Sequence, residues 1–197
     1  MNERVFSPSQ AHRLDAPERR TWLPLSEVLQ ILDLHPGMTV ADIGAGTGYF
    51  SLPIASSIGE QGKVYAVDLQ PEMLACIREK LIGTAIMNIE CRAGAASATG
   101  LTDGSCDLIL MAYIWHELEN ISDVLSEANR ILRIKGRIAV LDWRPGVQQP
   151  PGPPLDHRIP QKDTVKGLIG AGFQMSCISE IGPFAYLIVA VSGEDRA

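Results

Sequence analysis

Three groups of residues have the types and spacing to do chemistry. The first is the run Asp42-Ile43-Gly44-Ala45-Gly46-Thr47-Gly48. Glycine is needed where backbone turns sharply or where a ligand approaches it closely. Gly44, Gly46 and Gly48, with Ala45 between them, therefore offer a cradle of backbone to a ligand. The spacing disfavours two phosphate motifs. A G-x-G-x-x-G dinucleotide fingerprint needs glycine at position 49, where Tyr49 stands. A P-loop needs Lys and Ser/Thr after its last glycine, where Tyr49-Phe50 stand. Asp42 would repel a pyrophosphate but attract an ammonium group. The plain alternative for the whole run is a tight strand-to-helix turn without a ligand.

The second group is Asp68, Leu69 and Met73. A carboxylate at the end of a second strand can accept hydrogen bonds from both hydroxyls of a ribose, which points to a nucleoside. Leu69 and Met73 can line an adenine pocket. The structural alternatives are a helix cap for Asp68 and core packing for Met73. The third group follows the next apolar strands. It comprises Tyr113, Trp115, His116 and Glu117, then Asp142, Trp143 and Arg144. His116 can take a proton near neutral pH, or it can cap and pack. Glu117 reads as solvated or structural. Trp143 can wall an acceptor site and Arg144 can bind an anionic acceptor; core packing and a surface charge are the alternatives. His12, Arg13 and Trp22 can belong to a lid, with loose N-terminal packing the simpler reading. His157 and Arg158 read as a polar approach to a helix.

Alternating strand and helix signals must position these groups. Residues 1–23 read as an N-terminal arm or lid, and 24–197 as one domain. A helix opens at Pro24-Leu25 and stops at His35-Pro36-Gly37. Strands are expected at Met38–Ile43, Lys63–Val67, Ala85–Cys91, Asp107–Met111 and Gly136–Leu141. Helices are expected at Thr47–Ile58, Pro71–Leu81, Ser122–Leu132 and Gln161–Ala171. Pro53 inside the first of these should cost a hydrogen bond and can kink it. Largely apolar strands between amphipathic helices imply a parallel sheet covered on both faces. Phe173–Ser179 and Phe184–Val191 are joined by only Glu180-Ile181-Gly182-Pro183, which forces antiparallel pairing. The architecture is five parallel strands followed by a hairpin. The proline-rich run from Pro145 to Pro154 reads as a stiff surface connection or as a cover over a site.

Composition bounds the rest. The chain has 197 residues, 46% of them hydrophobic and 20% charged, which suits one globular domain. A net charge of −6 argues against nucleic acid as the main partner. The N-terminus is charged and lacks the apolar core of a signal peptide, and no apolar run has membrane-spanning length. Cys76, Cys91, Cys106 and Cys177 form no C-x-x-C pair. They read as reduced and mostly buried, which suits the cytoplasm, and no metal site is expected.

The runs VADIGAGTGYFSLPIA, GKVYAVDLQPEML, DLILMAYIWHEL and LRIKGRIAVLDW, in that order, resemble the class I methyltransferases that use S-adenosylmethionine (SAM). The likeness is strongest to the small bacterial branch similar to the ubiquinone/menaquinone-biosynthesis enzymes, and it spans roughly Leu14 to Val191. It implies a Rossmann-like α/β fold, with a seven-stranded, mostly parallel sheet, an antiparallel last strand and helices on both faces. It implies SAM as cofactor and methyl transfer by in-line displacement to a small-molecule acceptor. Asp42 and the backbone of Gly44, Ala45 and Gly46 would hold the methionine end, Asp68 the ribose and Leu69 the adenine. Ala112 would contact the cofactor through its backbone. Family members often carry an acidic adenine contact after the third strand. Here Gly94-Ala95-Ala96-Ser97 stands instead, so adenine recognition falls to backbone groups near Ala95 or to another side chain. The competing readings are a non-catalytic SAM or nucleoside-binding protein, and an NAD-linked dehydrogenase, which the glycine spacing disfavours.

Overall fold

A computed structural model describes residues 6–147 and 151–193. Seven strands form one sheet in the order β3-β2-β1-β4-β5-β7-β6. They are β1 Thr39–Ile43, β2 Lys63–Asp68, β3 Ile89–Ala93, β4 Cys106–Ala112, β5 Leu132–Trp143, β6 Gln174–Ile181 and β7 Ala185–Val191. The first five pair in parallel. β7 inserts antiparallel between β5 and β6, as the short hairpin link requires.

The helices are α1 Arg19–Trp22, α2 Leu25–Leu32, α3 Ser51–Ile58, α4 Pro71–Leu81, α5 Ile121–Ile131 and α6 Gln161–Gly170. Side chains alternate across a strand, so each central strand must feed two cores. Leu108, Leu110, Ala139 and Leu141 pack with Val28, Leu32, Ile54 and Ile58 of α2 and α3. Ile109, Met111, Ile138 and Val140 pack with Val124, Leu125, Ala128 and Leu168 of α5 and α6. Leu74 and Ile77 of α4 meet Ala45 and Ala66 near the β2 side. Two-sided burial explains why these strands read as unbroken apolar runs. β1 lies between β2 and β4, so the strand order switches beside it. In open sheets ligands bind at the carboxyl ends of strands at such a switch point.

Four expectations are corrected. α3 begins at Ser51, four residues later than the periodicity suggested, because Thr47–Phe50 continue the turn after the glycines. Pro53 is then the third helical residue; the Leu52 and Ile54 N–H groups on either side donate to the Gly48 and Phe50 carbonyls, and Pro53 leaves the bond between them unmade. β3 starts at Ile89 rather than Ala85. The apolar Met87 is 88% exposed, and the Asn88 side chain instead ties the loop to the Ala55 and Gly59 carbonyls. β3 is an edge strand whose Glu90 pairs with Lys63 and Arg92, so polarity rather than apolarity marks it. β5 starts at Leu132, with a register shift against β4 and a left-handed Lys135 before Gly136. Of the cysteines only Cys106 is fully buried; Cys76 in α4 and Cys91 and Cys177 on the edge strands β3 and β6 are half-buried.

Candidate functional site

A cleft of about 1030 Å³ opens over the carboxyl ends of β1, β2 and β4. Its size sits at the upper end of small-molecule sites, roughly 300–1,000 Å³, which leaves room for a cofactor and a second molecule. Asp42 ends the floor of one wall. It is buried, and its Oδ2 accepts from the Ser51 hydroxyl at 2.5 Å. Burial raises its pKa to about 6, against the lowering effect of Ser51. The glycine loop is pinned to β2, since the Gly44 and Ala45 N–H groups both donate to the Val67 carbonyl. Gly44 has φ +71°, and a Cβ there would overlap Ile114 Cγ2 and lie 2.9 Å from its Cδ1. Only glycine lets the loop lie this close to the chain after β4.

Asp68 Oδ2 accepts from the Gly46 N–H at 2.8 Å and Oδ1 from the Gln70 N–H at 2.9 Å. Each carboxylate oxygen has a second lone-pair site, so capacity remains for ribose hydroxyls. Burial raises the Asp68 pKa as well. The cap of α4 is Gln70, so Asp68 turns the chain into that helix without being its N-cap residue. Ala45, Gly46, Leu69, Met73, Ala95 and Ala112 all line the cleft. Leu69 is exposed and Met73 is buried, so Met73 also belongs to the core. The Gly94 N–H donates to the Asp68 carbonyl, which folds the Ala95 turn back towards the cleft.

The other half is built after β4 and β5. Tyr113 takes φ +61°, a strained conformation for a residue with a Cβ and one that recurs at functional sites. His116 sits in a short 3-10 turn, Trp115–Glu117, and is buried. Its Nδ1 lies 2.8 Å from Asp142 Oδ1, and its backbone N–H donates to Asp142 Oδ2 at 2.8 Å. Asp142 Oδ1 also accepts the Trp143 N–H at 2.7 Å. An ionised carboxylate only accepts, so it holds the proton on Nδ1 and leaves the Nε2 lone pair free. Glu117 Oε1 lies 3.9 Å from that Nε2. Glu117, read as solvated or structural, is not solvated: it lines the cleft, and burial raises its pKa to about 7.

Two assigned residues fall elsewhere. Gly48 is not on the cleft wall; a Cβ there would meet Leu52 and Ile77 in the core, so its role is packing. Arg144 is also absent from the wall, and its Nη1 donates to Glu180 at 2.7 Å across the hairpin. Trp143 does line the cleft, packed on Tyr113 with ring centroids 4.5 Å apart. Pro151 to Pro154 form part of the wall, while residues 148–150 lie outside the described part. Buried Arg158 holds this segment through the Pro151 and Pro153 carbonyls and stacks on Trp143. That is a larger part than a polar helix approach.

The arm supplies residues that no motif marked. Phe6, Ser7, Gln10, Leu14 and Arg19 line the cleft; of the three residues read as a possible lid, Arg13 and Trp22 line it as well and His12 does not. Arg19 stacks over Tyr49 at 4.3 Å. It sits in the segment PERR, whose local composition reads as solvent-exposed.

This fold and cleft define a nucleoside-binding α/β protein. The methyltransferase domain family matches residues 41–140, just over half the chain. A SAM-dependent methyltransferase from Aquifex aeolicus superposes with a TM-score of 0.89 at 30% identity, covering 95% of this chain and 99% of that one. Demethylmenaquinone methyltransferase of Bacillus mycoides is 27% identical over 116 residues, 59% of this chain and 49% of the relative. A methyltransferase-like protein of Schizosaccharomyces pombe is 36% identical over 102 residues, 52% of this chain and 37% of its own. The chain thus spans about half the length or less of these curated relatives. The chain belongs to the SAM-dependent methyltransferases of class I. A [4+2]-cyclase shares the fold at 14% identity and a TM-score of 0.75, so the fold alone does not name the reaction. Among the described residues no helix is long and apolar enough to cross a membrane.

Proposed function

We propose that the protein methylates a small-molecule acceptor that must lose a proton, with His116 as the base that takes it. The residues of the cleft fit SAM. Asp68 keeps acceptor capacity for a ribose, Asp42 offers a carboxylate to an ammonium, and Gly44 to Gly46 present backbone. SAM, when bound, supplies a methyl group activated by its sulfonium. The protein's share is placement, and orientation alone can contribute roughly 7–11 kcal/mol.

The observation that carries the reading is the His116–Asp142 contact of 2.8 Å at the cleft wall. Asp142 fixes the ring and its tautomer, so Nε2 is the acceptor and points towards the neighbourhood of Glu117. A proton received at Nε2 creates an imidazolium that Asp142 stabilises. Glu117, with its pKa near 7, can pass a proton onwards. Tyr113 and Trp143 supply an aromatic wall, which suits a planar acceptor. The name of the Bacillus relative, a demethylmenaquinone methyltransferase, is consistent with a ring-bearing acceptor.

The test is methyl transfer from labelled SAM into a fractionated metabolite pool, with calorimetry of S-adenosylhomocysteine binding alongside. His116→Ala should lower turnover by about 10²–10⁴-fold while leaving homocysteine-nucleoside affinity within a factor of a few. Undiminished turnover would remove His116 from the mechanism. A wild-type protein that binds S-adenosylhomocysteine but labels nothing would favour a non-catalytic binding protein.

A further inference from the structure

Two arginines are buried, Arg19 on the cleft wall and Arg158 behind the proline-rich part of it, and they differ in how their donors are used. Arg158 spends its guanidinium on the carbonyls of Pro151, Pro153 and Arg144. Arg19 does not. Its Nη1 donates to the Leu14 carbonyl at 2.9 Å, and its Nε is buried with no partner. It makes no ion pair among the described residues. Guanidinium carries five donors, and a buried charge without a counter-ion is costly. Burial accordingly lowers the Arg19 pKa. Tyr49 and Tyr113 hold its plane, with their ring centroids 4.3 and 5.4 Å away, but their hydroxyls also lack partners. The stack repays part of the cost and supplies no negative charge.

The position of this cation narrows what it awaits. Tyr49 directly follows the glycine loop, and Asp42 is among the charges that Arg19 feels. The loop end of the cleft thus holds a buried cation and a buried carboxylate that are not paired with each other. That is the charge complement of an α-amino acid zwitterion. Asp68, at the other end, suits the ribose. Arg19 belongs to the arm, which is rooted by Trp22 packed against Tyr113, Trp143 and Phe184; the ties of the residues before Arg19 are modest. Lys80 reaches Asp15 and the Thr47 carbonyl from a half-exposed position, and the Gln70 amide donates to the Phe6 carbonyl. Half-exposed pairs contribute little.

We propose that Arg19 receives the α-carboxylate of the methionine end of SAM, opposite Asp42, and that this contact fastens the arm, residues 8–22, over the cleft. The inference rests on the SAM reading and adds to it. The arm becomes a sensor of the amino-acid end of the cofactor. A nucleoside lacking that end fills the adenosine site and leaves the arm loose.

The test compares S-adenosylhomocysteine, SAM, decarboxylated SAM and 5′-methylthioadenosine by calorimetry, on the wild type, Arg19→Gln and Arg19→Lys. The wild type should bind SAM at least about tenfold more tightly than decarboxylated SAM. Arg19→Gln should lose about tenfold to hundredfold for SAM and S-adenosylhomocysteine, and less than about twofold for the two ligands without a carboxylate. Arg19→Lys keeps the charge without the fork and should fall between. Hydrogen exchange gives an independent readout. S-adenosylhomocysteine should protect amides of residues 8–22 in the wild type but not in Arg19→Gln, and 5′-methylthioadenosine should protect them in neither. An equal loss for all four ligands would make Arg19 merely structural and overturn the proposal. Unchanged affinities with lost turnover would put the anion on the acceptor and overturn it too. A wild type that binds none of the four strikes the SAM reading itself.

Discussion

Removing the Asp142 carboxylate is the sharpest perturbation of the proposed acceptor side. Asp142 is 1% exposed and accepts three N–H groups, from the His116 backbone, the His116 ring and the Trp143 backbone. In Asp142→Ala all three donors stay buried without a partner. Each orphaned donor costs about 1–3 kcal/mol. The loss is offset in part, because the variant no longer buries a carboxylate. Breaking buried polar pairs of this kind costs about 3–5 kcal/mol in net terms, a large fraction of the roughly 5–15 kcal/mol that holds a domain together. For a chain of this length that is a fall of about 6–20 °C in Tm. Asp142→Asn separates stability from chemistry. Its amide oxygen can still accept one of the backbone N–H groups, so it should lose less stability. Its NH₂, if it faces Nδ1, forces the proton to Nε2 and removes the base. The assay is urea unfolding followed by tryptophan fluorescence, since Trp115 and Trp143 flank the pair. A double-mutant cycle with His116→Ala should give a coupling of at least about 1 kcal/mol. If Asp142→Ala unfolds within about 1 kcal/mol of the wild type at unchanged m-value, the carboxylate does not hold His116 in solution and the base assignment loses its support.

Two further perturbations probe the cofactor side. The buried Asp42 has its pKa raised from 3.8 to about 6, so its native form binds protons more readily than its unfolded form. Above pH 6 the ionised group opposes folding by about 3 kcal/mol, and this penalty fades as pH falls from 6 to 4. Asp42→Asn should therefore be more stable than the wild type at pH 7, with the advantage vanishing near pH 4, while S-adenosylhomocysteine affinity falls; identical pH-stability curves for the two proteins would contradict the burial argument. Gly44→Ala meets both a left-handed backbone and Ile114, and should cost about 2–4 kcal/mol in chemical denaturation. Adding Ile114→Ala should recover part of that loss, and a double variant as unstable as the single one would show that backbone strain alone sets it.

How much of the site can be read from the chain depends on how it is assembled. Asp42, Gly44 and Asp68 are set by one contiguous β–loop–α–β stretch, where local periodicity decides which residues end a strand. Their positions were legible for that reason. Gly48 belongs to the same stretch, but the face it presents depends on Leu52 and Ile77, and spacing carries no information about that contact. The rest of the cleft wall draws on four separated segments: the arm, the turn after β4, the end of β5 and the proline-rich segment. Arg19 illustrates the limit. In PERR it is one charge among several, and only docking of the arm onto Tyr49 and Tyr113 makes it a buried cation. Arg144 shows the converse, since β6 places Glu180 beside it and neutralises the charge its position suggested. A charge is legible as functional where the local backbone fixes its surroundings, and illegible where distant segments supply them. The same division has a physical consequence for the enzyme. The glycine loop and Asp68 stand on the edge of the sheet itself, whereas the arm and the proline-rich segment are joined to the cleft by side-chain contacts. On the proposed reading, substitutions in the proline-rich segment should change the acceptor without disturbing the glycine loop, whereas substitutions at Arg19 should weaken the donor.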